Sequence, residues 1–210
     1  MSKIIAFVSQ KGGVGKSTLA RALAREGAAS GLSVKLADLD TQQGTVSDWH
    51  RQRLNNQHAA IGSVEVFRSA GEAIAQAENF DLTIIDGAAR ASAATLEIAK
   101  ASDVIVLPAC ASRDDLLPAV KLAHELTGKG IDRSAIAFAL CRVTTPAEIN
   151  DAREYIEQSG YRVLAGALLE KPAYRQAQNE GLAITETRFK SLNTKADELL
   201  TDLTTLILSS

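Results

Sequence analysis

Short, almost wholly apolar runs recur along the chain, separated by longer stretches whose apolar positions follow a helical spacing. Ile4-Ile5-Ala6-Phe7-Val8 has no polar interruption, and neither has Val104-Ile105-Val106-Leu107. A strand with one wet face alternates in polarity, so both runs read as strands covered on both faces. Strands are expected at residues 3–9, 34–39, 64–67, 82–86, 104–108 and 135–141, with a weaker one at 162–164. Helical patterns fall at 16–30, 45–55, 71–78, 92–101, 115–128 and 146–159. Strands separated by helices of this length build βαβ units. The predicted fold is therefore α/β and doubly wound, a mostly parallel sheet with helices on both faces.

The final stretch places Ala196, Leu199, Leu200, Leu203, Leu206 and Ile207 on one helical face, with Asp197, Glu198 and Asp202 opposite. A helix that lies on a membrane wants Lys or Arg beside its apolar stripe, and residues 196–210 contain neither. Docking on the sheet is the expected use of this face, and no membrane partner is expected. No repeat, low-complexity tract or linker interrupts the chain, which predicts one domain over residues 1–210. The apolar run at the N-terminus is too short for a signal peptide, so a cytoplasmic protein is expected. A net charge of −2 gives no global basic field, so any contact with nucleic acid must come from a local patch. Cys110 and Cys141 each close an apolar run and are expected to be buried thiols.

The chemistry begins at Gln10-Lys11-Gly12-Gly13-Val14-Gly15-Lys16-Ser17-Thr18, after one strand and at the opening of a helix. Glycines let a backbone turn tightly and aim successive N–H groups at phosphates. The helix N-terminus adds its positive dipole. In such a loop Lys16 reaches the β- and γ-phosphates, and the Ser17 hydroxyl ligates magnesium. Residues 12–18 thus form the expected cradle for ATP or ADP with Mg²⁺. No Asn-Lys-x-Asp guanine motif is present, which points to adenine.

The segment Lys11-Gly12-Gly13-Val14-Gly15-Lys16-Ser17-Thr18 resembles the deviant phosphate loop of the ParA/MinD ATPase superfamily, with Gln10 where the standard loop has glycine. The resemblance implies that Lys11 crosses a dimer interface to the phosphates of the partner's nucleotide. Such a cation would act as an arginine finger does. Asp38-Leu39-Asp40-Thr41-Gln42 is similar to the family's Asp-x-Asp-Pro-Gln segment, with Thr41 in place of proline. That likeness implies that Asp40 orients or activates water and that Asp38 supports the magnesium shell. Leu82-Thr83-Ile84-Ile85-Asp86 looks like a Walker B strand, with Asp86 holding magnesium through water. Gly87-Ala88-Ala89 then opens an expected γ-phosphate-sensing switch.

Later segments resemble the family more loosely. Pro108, Ser112 and Asp115 match its interface loop, although Asp115 could equally cap a helix. Arg142 stands where the family contacts adenine, and Lys171-Pro172-Ala173-Tyr174 resembles its late adenine-pocket and dimer segment. For Arg142 and Pro172, base contact and ordinary surface or turn roles stand level. Arg175, Arg188, Lys190 and Lys195 fall where the family touches DNA; they form either a phosphate-binding patch or a solvated face.

As a whole, the resemblance implies a slow ATPase that dimerises with ATP and is stimulated by a ParB-like or other cargo-adaptor protein. It would bind DNA nonspecifically, so a cytoplasmic, nucleoid-associated location is implied if that binding holds. The alternatives are a MinD-like membrane switch, which the acidic C-terminus opposes, and a metabolic P-loop ligase, which Lys11 opposes. A scaffold without catalysis is opposed by Lys16 and Asp40.

Overall fold

Strand β1 (Lys3–Ser9) occupies the middle of the sheet. Around it lie β2 (Val34–Asp38), β3 (Ser63–Val66), β4 (Leu82–Ala89), β5 (Val104–Ala109), β6 (Ile136–Val143), β7 (Arg162–Val163) and β8 (Leu168–Leu169). The strand order is β3-β2-β4-β1-β5-β6-β7, with β8 pairing the last residues of β6, and every pairing is parallel. These strands belong to a computed structural model that describes residues 2–41, 44–89 and 93–210.

Alternate residues of each strand serve different layers. Ile5, Phe7, Leu36 and Ile84 face one core, together with α1 (Lys16–Ala29), α2 (Thr45–Asn55), α7 (Pro172–Asn179) and α8 (Lys190–Ser209). Ala6, Val8, Ala37 and Ile85 face the other, with α3 (Ala70–Ala75), α4 (Ala93–Ala101), α5 (Arg113–Gly128) and α6 (Pro146–Gln158). This double coverage explains why the central strands carry no polar alternation. The doubly wound expectation is borne out, and α8 docks as its stripe predicts: Ala196, Leu199, Leu200, Leu203, Leu206 and Ile207 are all buried. Each fully buried leucine contributes about 1.5–3 kcal/mol relative to exposure. No helix among the described residues is long and apolar enough to cross a membrane.

The differences from the sequence reading are local. The expected helix at 71–78 divides into α3 and a 3₁₀ turn at Ala77–Asn79, a common tightening at a helix end. The helix α7 and the short strand β8 were not anticipated. Each is brief, and α7 buries only Tyr174 and Ala177, too few apolar positions to show a period. The strand β4 runs three residues past Asp86, because Ser9 pairs with Ala89 beyond an irregularity in β1. Gly87 therefore lies inside a strand, where a Cβ would sit 3.0 Å from the Phe7 carbonyl oxygen. Close approach to β1, rather than freedom to hinge, accounts for that glycine. The rest of the expected switch falls at 90–92, outside the described residues, as does Gln42. Of the two thiols Cys141 is buried, whereas Cys110 is half-exposed, because β5 ends at Ala109 and releases the next residue to the surface.

Candidate functional site

The β1–α1 connection crosses the carboxyl edge of the sheet, where doubly wound folds hold their ligands. Gly13 and Gly15 take φ of 76° and 115°, left-handed values that other residues avoid. Gly15 is doubly constrained, since a Cβ there would stand 3.0 Å from the Cys141 sulfur. Val14 is buried, whereas Gly12 meets nothing within 4 Å of its absent Cβ. Lys16 opens α1 and is itself buried. Its Nζ lies 3.4 Å from the Ser9 hydroxyl and 3.5 Å from the Lys11 carbonyl. Burial pulls the Lys16 ammonium below its ordinary pKa, against the opposing pull of Asp86 and Asp40. Thr18 donates to the Gln178 side chain at 3.3 Å.

Asp38 and Asp86 are register partners on β2 and β4, both on the face that packs against α1. Burial raises the Asp86 carboxyl to about 7, although a hydrogen bond from Ser17 and the Lys16 charge act in the other direction. Among the described residues the second Asp86 oxygen, Oδ1, is buried without a hydrogen-bond partner. An orphaned carboxylate oxygen beside a serine hydroxyl is a donor set for a hard cation. No group of three or more His, Cys, Asp or Glu converges among the described residues. The residues therefore fit magnesium that completes its shell with phosphate and water, and do not form an all-protein cage.

Asp38 does something the sequence reading did not anticipate. Its Oδ1 accepts the Asp40 amide at 2.9 Å and its Oδ2 accepts the Val46 amide at 3.2 Å. One side chain thus clamps both ends of the segment that carries Asp40. Burial nevertheless raises the Asp38 carboxyl above the usual range. Asp40 is near enough to Lys16 for its charge to act there.

The Lys11 side chain reaches α5. Its Nζ pairs with Asp115 at 2.9 Å, and Ser112 donates to the same carboxylate at 2.6 Å. Asp115 is therefore an ion-pair partner inside α5, not the residue that caps it. Arg142 holds a left-handed φ of 55°, donating from Nη1 to the Gly13 carbonyl at 3.2 Å and from Nε to Glu170 at 2.7 Å. Beside it a cavity is lined by Gly13, Gly15, Thr18, Arg142, Tyr174 and Gln178, among others. Pro172, the first residue of α7, lies apart and lines a neighbouring groove with Arg188 and Phe189. The turn that begins α7 directs Tyr174 and Gln178 to the cavity instead. Two of the four late basic residues are already paired: Arg175 with Glu170 at 3.3 Å and Lys195 with Glu198 at 2.8 Å.

A family model described as the CobQ/CobB/MinD/ParA nucleotide binding domain matches residues 5–184, which hold the phosphate loop, both carboxylate strands and the cavity wall. The chain belongs to that family. Its CobQ/CobB/MinD/ParA fold is also visible in solved structures. The cell division ATPase MinD of Pyrococcus furiosus superposes with a TM-score of 0.78 at 20% identity, covering 98% of this chain and 100% of that one. The septum site-determining protein MinD of Pyrococcus horikoshii, complexed with Mg-ADP, gives 0.76 at 19% identity, covering 97% and 96%. In sequence, the maintenance of carboxysome distribution protein A of Gloeobacter kilaueensis is 26% identical over 193 residues, 90% of this chain and 87% of that protein.

Proposed function

We propose that this chain is an ATP-hydrolysing switch of ParA type, which dimerises on ATP and positions a cargo through an adaptor protein. The observation that carries this reading is the division of labour between its two loop lysines. Lys16 is buried in the phosphate cradle, while Lys11 is about two-fifths exposed and points to α5. A lysine in this loop that does not serve its own phosphates is available to a second copy's.

In the proposed reaction water attacks the γ-phosphate of ATP, giving ADP and phosphate. The backbone amides of residues 12–17 bind the phosphates, and Lys16 spreads its charge over them. Ser17 and Asp86 hold magnesium, which when bound neutralises charge on the phosphate oxygens. Asp40 orients the water, and Asp38 fixes the position of Asp40 through the two amides that it accepts. Arg142 and Tyr174 bound the base side of the cavity. No covalent intermediate is required, because positioning and charge stabilisation suffice for this chemistry.

The name of the Gloeobacter relative, which concerns carboxysome distribution, supports a protein assembly as cargo alongside DNA. With Arg175 and Lys195 engaged by carboxylates, DNA binding would rest on Arg188 and Lys190 and require a dimer to double their number. Sedimentation with ADP and with a slowly hydrolysed ATP analogue, each with and without duplex DNA, tests this. A dimer formed only with the analogue, and bound to DNA in a salt-sensitive way, is the expected result. A nucleotide-dependent dimer that ignores DNA would turn the search to protein or membrane partners. A monomer under all four conditions would overturn the proposal.

A further inference from the structure

One half-buried cation near the cradle has no part in the chemistry above. Arg21 stands one turn beyond Ser17 on α1. Its charge is close enough to Asp86 and Asp38 for both to act on it. Its Nη2 donates to the Thr45 carbonyl at 2.7 Å, and its Nη1 donates to the Gln178 side chain at 3.0 Å. The guanidinium lies over the Trp49 ring, 5.4 Å from the centroid. Among the described residues its Nε is buried without a partner.

Two of these contacts bear on the proposed nucleotide site, at Gln178 in the cavity wall and at Thr45 beside the Asp40 segment. Thr45 begins α2 directly after the Asp40 segment, whose carbonyl at Asp40 accepts the Gly44 amide at 3.0 Å. Asp38 holds the same segment from the sheet side through Asp40 and Val46. Gln178 projects from α7, lines the cavity and also accepts from Thr18. A planar fork can meet two acceptors at fixed separation, and an ammonium cannot reproduce that geometry.

We infer that Arg21 is a positioning residue, which ties the Asp40-bearing segment and the cavity wall at Gln178 to the phosphate-loop helix. The inference rests on the ATPase reading for its kinetic consequence but not for its structural one. Movement of either wall is thereby shared with α1, so the water-orienting carboxylate and the base side of the site shift together. Arg21 touches none of the reacting atoms, and its effect passes through Thr45 and Gln178.

The test compares the full chain with Arg21→Lys, which keeps the charge and loses the fork, and with Arg21→Ala. Three properties are measured: hydrogen exchange without nucleotide, affinity for a fluorescent ATP analogue with magnesium, and kcat against KM for ATP. For Arg21→Lys, exchange should rise in peptides covering 44–50 and 174–180 while β1 and β4 keep their protection. KM should stay near the wild-type value, and kcat should fall between about tenfold and a hundredfold. A general rise in exchange with a matching fall in melting temperature would assign Arg21 to stability alone and overturn the inference. So would unchanged exchange in both segments. If Arg21→Ala fails to fold, Arg21→Lys still decides. If the wild type hydrolyses no ATP, the ATPase reading falls, and exchange in the two segments still decides the role of Arg21.

Discussion

At the scale of single residues, Asp86 carries a cost that a proton or a cation relieves. Its carboxyl is raised to about 7 in the folded chain, mainly by burial. Between its ordinary value and about 7 the folded state keeps a proton that the unfolded state has released, so this group lowers stability as pH rises through that window. Asp86→Asn should therefore melt higher than wild type near pH 8 without nucleotide, and the gap should close near pH 4. Differential scanning fluorimetry at the two pH values measures it. Metal ligation needs the carboxylate, so stabilisation by Mg-ADP should grow with pH in the wild type and be lost in the variant. Lys16→Ala should abolish tight nucleotide binding, read by titration with a fluorescent analogue. The glycines and lysines of the cradle were legible in the sequence because their chemistry demands adjacent positions. The Asp38 clamp was not, because its partners are backbone amides that any residue supplies. Arg21 was equally hidden: a lone arginine in a helix gives no sign that the fold will bridge it between Thr45 and Gln178.

Among elements, the short reach between the phosphate loop and α5 sets the expected behaviour of Lys11. The Lys11–Asp115 pair is partly exposed and contributes little to stability. Lys11→Ala should thus leave melting and monomeric ATP binding nearly unchanged while removing ATP-dependent dimerisation. Sedimentation with the slowly hydrolysed analogue checks this, and a persisting dimer would refute a trans role for Lys11. The helix α8 offers a contrasting test. Leu203 is fully buried against the sheet, so Leu203→Ala should cost about 2–5 kcal/mol in urea unfolding. The α8 stripe was readable because it spans several turns of regular period. The helix α7 was not readable, because eight residues with a proline at the start carry too little pattern. That gap mattered, since α7 supplies Tyr174 and Gln178 to the cavity while Pro172 turns aside.

For the whole molecule, alternating strands and helices foretold a parallel sheet but not its order. Nothing local says that β4 inserts between β1 and β2, yet that insertion brings Asp86 beside Asp38. Only the coverage of both faces, which is a global property, decides such an arrangement. At this scale the expectation is a cycle in which ATP assembles two copies and hydrolysis separates them, with turnover slow alone and faster with an adaptor. Phosphate-release assays across candidate adaptors measure it; equal rates with all of them would remove the stimulated step. The alternation of the strands between two cores also bears on how such a gene can change. One codon inserted in β4 ahead of Asp86 would rotate its carboxylate into the opposite layer, among Ile98 and Ala99, whereas two codons would return it to the side of α1. Parity therefore bars odd changes in the number of residues ahead of Asp86 wherever no bulge absorbs them.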